Sequence, residues 1–85
     1  MKIGEIDVAI IRSKEGITHW WIYRLESGSY KGFCFKGSGE QLKCESQKMG
    51  TLDEVCEHIA DDLDLIADEV VSSAKGQFDK DLRDN

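Results

Sequence analysis

Two histidines, three cysteines and a run of eight carboxylates are the side chains of this sequence that could do chemistry. Their spacing removes most of it. Cys56 and His58 have the types of a nucleophile and its base, but residues two apart on a helix point to different faces. His19 falls on a strand opposite Arg12, a rim position. Cys34, Cys44 and Cys56 contain no CxxC pair, and neither they nor His19 and His58 have finger or ribbon spacing for zinc. An odd cysteine count in so short a chain reads as three reduced, mostly buried thiols behaving as small hydrophobes. Asp61, Asp62, Asp64 and Asp68 lack the glycine turn and closing glutamate of a calcium loop. Gly37-Ser38-Gly39 precedes a strand rather than a helix, so it is a turn and not a phosphate cradle. The expectation is a protein that is not an enzyme and uses no metal or cofactor.

The carboxylates carry more information as a surface than as acids. Residues 1–48 hold eight Lys and Arg against six Asp and Glu. Residues 49–74 hold Asp53, Glu54, Glu57, Asp61, Asp62, Asp64, Asp68 and Glu69 with no Lys or Arg, so this segment alone outweighs the rest and makes the net charge −6. Such a field repels nucleic acid and most membrane surfaces and attracts basic proteins. No apolar run is long enough to cross a membrane. The first residues, Met1 to Glu5, have no apolar signal region, and the expected location is cytoplasmic.

Positioning these groups requires few elements, because 85 residues support one modest core. Ile6, Val8 and Ile10 alternate with Asp7 and Ala9, the two-residue period of a strand. A second strand follows over Ile17–Glu26. With Glu15-Gly16 at the turn, Ile10 faces Trp21, Val8 faces Tyr23 and Ile6 faces Leu25. On the other side Asp7 pairs with Arg24, Ala9 with Ile22 and Ile11 with Trp20. A one-residue slip would mix apolar and charged positions, so this register is preferred. Ser27-Gly28-Ser29 turns the chain into a third strand, Tyr30–Lys36. Loops of two or three residues fit that turn equally, leaving open whether Phe33 or Cys34 faces the helix. A weaker fourth strand, Glu40–Gln47, has the polarity of an edge.

Thr51-Leu52-Asp53-Glu54 is a capping box, and Leu52, Val55, Cys56, Ile59, Leu63, Ile66, Ala67, Val70 and Ala74 recur at helical spacing. The pattern predicts one helix stopping at Gly76, with Lys75 in its last turn. The expected fold is therefore α+β: an antiparallel three- to four-stranded β-meander followed by one long C-terminal amphipathic helix packed across one sheet face. Residues 1–76 form the domain, and 77–85 form a polar tail in which Phe78 and Leu82 could dock as a short turn.

On that helix Glu57, Asp61, Asp64 and Asp68 form a stripe opposite the core that also includes Leu65. These five residues are the expected contact set for a basic protein partner, with Leu65 as an apolar anchor within the acids. One helix covers one sheet face, so Ile11, Trp20 and Ile22 are the candidate seam of a homodimer on the other. The order of elements over residues 5–70, with strands leading into Thr51-Leu52-Asp53-Glu54-Val55 and an acidic helix, resembles the N-terminal domain of HicB-type antitoxins. This chain has no proline and so lacks that family's proline-containing loop; its Gly-Cys turn is absent too, and the likeness is one of pattern. The expected function is a non-enzymatic small acidic binding protein that inhibits a nucleic-acid-processing enzyme in the manner of antitoxins, immunity proteins or phage and mobile-element anti-defence proteins. The alternative is a domain that self-associates through the uncovered aromatic sheet face.

Overall fold

The computed structural model of the protein describes residues 2–3, 6–37 and 43–83. Five strands, β1 (Lys2–Ile3), β2 (Ile6–Arg12), β3 (Thr18–Arg24), β4 (Tyr30–Lys36) and β5 (Lys43–Gly50), form one antiparallel sheet in sequence order. Two helices follow, α1 (Leu52–Leu63) and α2 (Ala67–Arg83). The α+β class and the antiparallel meander are as expected, but the sheet carries one strand more than the three or four expected, β1, and the single long helix is not observed.

The β2–β3 register is the one in which the faces stay unmixed: Asp7 pairs with Arg24, Ala9 with Ile22, Ile10 with Trp21 and Arg12 with His19. Ser13 N–H donates to the Thr18 carbonyl at 2.9 Å, so the loop is the four residues 14–17, with Gly16 at φ 78°. Asp7 and Arg24 form the expected ion pair. That hydrogen bond is the main reason the guanidinium pKa is raised above its ordinary value. The next turn takes three residues, since Leu25 N–H donates to the Ser29 carbonyl, with Gly28 at φ 90°. A three-residue loop ending in a left-handed glycine is a common hairpin solution. It sets Trp20 opposite Cys34 and Trp21 opposite Phe33. Cys34, not Phe33, therefore faces the helices. β5 runs three residues further than expected and is almost wholly exposed, as an edge strand should be. Its expected start at Glu40, with Leu42, lies outside the described residues.

The loop length decides which sheet face the helices cover. On one face lie Ala9, Ile11, Trp20, Ile22, Gly32 and Cys34; on the other lie Ile10, Trp21, Tyr23, Phe33 and Phe35. Ala9, Gly32 and Cys34 make the first face the roomy one. A Cβ on Gly32 would stand 3.0 Å from a Val55 methyl and 3.2 Å from the Trp20 ring, so glycine lets α1 settle directly onto the tryptophan. The core is accordingly Ala9, Ile11, Trp20, Ile22 and Cys34 from the sheet with Val55, Cys56, Ile59, Val70, Ala74 and Phe78 from the helices. Ile11, Trp20 and Ile22 are all buried, so they cannot be a dimer seam.

The helix breaks at Asp64, which adopts a left-handed conformation with φ 55°. Its N–H and that of Leu65 both return to the Ala60 carbonyl. This is a Schellman-like closure in an unusual form, with aspartate where glycine is preferred. It turns Leu65 inward onto the core. Ile66, 62% exposed, then supplies the carbonyl that accepts from Glu69 and Val70 at the start of α2. Size explains why a break is preferable. A straight helix over residues 52–74 would run about 35 Å, longer than the greatest extent of the molecule, 31 Å. Folding back lets α1 cover β3, β4 and β5 while α2 covers β2 and packs on α1.

α2 continues through Gly76 to Arg83, so residues 77–83 are helical and the expected stop at Gly76 is not observed. Tertiary contacts override the glycine. Phe78 is buried beside Tyr30, and the Arg24 guanidinium lies 5.1 Å from its ring centroid. The packing of Leu82 lies outside the described residues. Gly76 is exposed, and a Cβ there would meet nothing within 4 Å. Gly76→Ala is expected to stabilise the protein by about 0.5–1 kcal/mol, raising Tm by roughly 2–8 °C. A calorimetric Tm that stays level or falls would argue against a continuous α2.

Candidate functional site

No described group of three or more His, Cys, Asp and Glu residues is placed to hold a metal ion. Cys34 and Cys56 are buried. Burial, with Asp53 adding to it, pushes the Cys56 thiol up to about 11. Burial and then Asp62 raise Cys34. Both thiols are held protonated, the opposite of what a nucleophile needs. Among the described residues two broad surfaces stand out.

The helical surface is acidic but is not one ridge. Glu57 and Asp61 are exposed on α1, Asp68 is exposed in the first turn of α2, and Asp64 sits at the bend between the helices. Because α2 doubles back, Asp53 and Glu57 border the same inter-helix groove as Ala67, Asp68, Val71 and Ser72. Glu57 also borders a second depression with Glu54, His58 and Asp61, into which Lys48 of β5 brings a cation. Glu54 is held below the usual carboxylate range by its bonds to the Thr51 backbone and hydroxyl, the expected capping box. Asp62 turns to the sheet: the Trp20 indole donates to its Oδ2 at 2.9 Å, and the Cys34 thiol lies 3.9 Å from the same oxygen. Leu65 is not an anchor within acids, since it is half-buried against the core. The structure thus brings Glu57 together with Asp61 and with Asp68 and turns Leu65 inward, while Asp64 stays exposed at the bend.

The second surface is the sheet face away from the helices. Trp21, Tyr23, Phe33 and Phe35 lie on the adjacent strands β3 and β4, each half-buried. Their rings pack edge to face: Trp21 on Phe35 with centroids at 5.7 Å, and Tyr23 on Phe33 at 5.3 Å. Such pairs add about 0.5–1.5 kcal/mol beyond area burial, so the layer is preformed. Ile10 and the fully buried Val8 extend it across β2, and Met49, 56% exposed, extends it onto β5. No described helix covers it. Arg12, beside His19, stands at one end and Lys31 at the other, with the Lys31 ammonium 5.2 Å from the Phe33 centroid. No Asp or Glu occupies this face on β2, β3 or β4.

The four aromatics were not singled out as a binding set from sequence, because their common face depends on the length of the β3–β4 loop. The helices give no further lead, and none described is long and apolar enough to cross a membrane. No family model matches the chain, nor does any curated protein or solved structure.

Proposed function

We propose that this protein is a non-enzymatic interaction domain that pairs with a second copy of itself through the open sheet face. The observation carrying this reading is the half-buried layer of Trp21, Tyr23, Phe33 and Phe35 on two adjacent strands that no described helix covers, with Arg12, His19 and Lys31 only at its ends. An aromatic centre with a basic rim and few carboxylates is the composition of protein–protein interfaces. Area points the same way. Four strands about 4.8 Å apart and seven residues long give a face of roughly 19 by 23 Å, on the order of 600 Å² per partner with side-chain relief. The total of about 1,200 Å² is at the low end for specific complexes, which predicts a micromolar dimer. Sedimentation equilibrium should show that dimer, insensitive to salt, and Trp21→Lys should leave a folded monomer at every concentration. A wild-type chain still monomeric at several hundred micromolar would remove the proposal.

A second reading is favoured by a different observation. The groove between α1 and α2 is bordered by Asp53, Glu57 and Asp68, and no Lys or Arg occurs from residue 49 to 74. A basic protein partner, such as an enzyme that itself binds nucleic acid, would find complementary charge there. The contact set on this reading is Glu57, Asp61, Asp64 and Asp68, without the inward-turned Leu65. In this case association with a partner from the native host weakens at least tenfold between about 50 and 300 mM salt. Glu57→Lys with Asp68→Lys then abolishes it, and unchanged binding by that charge-reversed protein would count against the reading.

A further inference from the structure

Where β2 runs on beyond β1, a side chain lies along its edge in place of a strand. Gln77 Oε1 accepts from the Ile10 N–H at 2.8 Å, and Gln77 Nε2 donates to the Ile10 carbonyl at 2.9 Å. This reciprocal pair is the one that a residue on a neighbouring antiparallel strand exchanges with its opposite number. The carboxamide stands where a peptide group would stand.

The edge continues past the reach of Gln77. Ladder bonds alternate sides along a strand, so the Arg12 N–H and carbonyl point the same way as those of Ile10. Ser13 N–H, one residue on, turns inward to Thr18 and fixes that phase. β1 pairs only with Ile6 and Asp7, so no described strand lies alongside Arg12. Next to the edge is a groove of about 470 Å³, floored by Ile11, Leu65 and Val70 and rimmed by Arg12, Glu69 and Ser73. That volume is within the range of ligand sites, about 300–1,000 Å³. Inward burial of Leu65 at the helix break helps to build the floor.

We propose that the β2 edge is a strand-docking site for an extended peptide segment of a partner protein, closed by the Gln77 amide. Pairing along Ile10–Arg12 supplies the affinity and the groove supplies the choice of side chain, the division of labour in β-strand addition. Residues directly opposite on paired strands share a face. The segment's residue opposite Ile11 therefore points into the groove and is apolar, and the residue opposite Arg12 is a carboxylate beside the guanidinium. The site uses the backbone edge of Ile10 and Arg12, whose side chains border the aromatic face, and does not rest on self-association.

The test uses an N-terminally fluorescein-labelled peptide, Thr-Glu-Leu-Thr-Val-Thr-amide, whose leucine falls opposite Ile11 and whose preceding glutamate falls opposite Arg12 in antiparallel register, and a control with proline replacing that glutamate, whose N–H faces β2. Anisotropy titrations of the full chain should show at least tenfold tighter binding to Gln77→Ala than to wild type. The peptide should protect the Arg12 amide from hydrogen exchange, and the proline control should not bind. Ser73→Ala removes only a hydroxyl 3.3 Å from Gln77 Nε2, so it should shift affinity the same way by a smaller factor. If Gln77→Ala does not fold, the Ser73→Ala comparison decides. Equal affinities for wild type and the folded variant, no binding to either, or equal binding of the proline peptide would overturn the proposal.

Discussion

Trp20→Ala is expected to leave the protein largely unfolded at room temperature, while Trp20→Phe leaves it folded with a lower denaturation midpoint. Trp20 has no solvent-exposed surface. Gly32 lies against one edge of its ring, the His58 ring meets it edge to face at 5.4 Å, and its indole donates to Asp62. Emptying a site of that size costs about 3–5 kcal/mol. An 85-residue chain has a total stability of only about 4–13 kcal/mol, so the loss runs from roughly a quarter of the total to more than all of it. Phenylalanine keeps most of the packing and loses the bond to Asp62, an exposed carboxylate that water can satisfy, for about 1–2 kcal/mol. Urea titration followed by circular dichroism separates the cases. A Trp20→Ala chain that kept its midpoint but changed its oligomeric state would mean that Trp20 faces a partner rather than α1.

That contrast shows where sequence reading succeeded and where it stopped. The β2–β3 register followed from pairing apolar with apolar and Asp7 with Arg24, a local comparison needing only a turn. The face choice did not follow. Both faces of β2 and β3 are apolar, and what separates them is whether Gly32 and Cys34, or Phe33 and Phe35, join Trp20. One residue of loop length settles it. The acidic surface was legible as composition but not as shape. Leu63 and Val70 are seven residues apart, two helical turns, so the apolar stripe stays in phase across the break. Nothing in the periodicity marks Asp64, and no glycine is there to flag a left-handed residue. The one trace was Leu65, a leucine off the stripe, which read as an exposed anchor on a straight helix and is a core contact once the chain turns. Gly76 misled in the other direction. A glycine near the end of an apolar pattern is a sound stop signal, but its cost of about 1 kcal/mol in a helix interior is small beside burying a phenylalanine.

Phe78→Ala is the second large effect. If residues 77–85 were a polar tail, the substitution would be silent. Phe78 is instead 2% exposed, packed beside Tyr30 with centroids at 5.7 Å and beneath the Arg24 guanidinium. Losing the ring costs about 3–5 kcal/mol through the cavity and a further contribution, about 0.5–2 kcal/mol, from the cation–π contact. The consequences extend to a second element, because Gln77 precedes Phe78 and closes the β2 edge at Ile10. Undocking the end of α2 should therefore lower the unfolding midpoint and also accelerate hydrogen exchange at the Ile10 amide more than at Ala9, whose N–H points into the sheet. A chain ending at Gly76 should show the same pair of changes. Exchange rates at Ile10 identical to wild type, with an unshifted midpoint, would return residues 77–85 to the status of a tail and deprive the β2 edge of its cover.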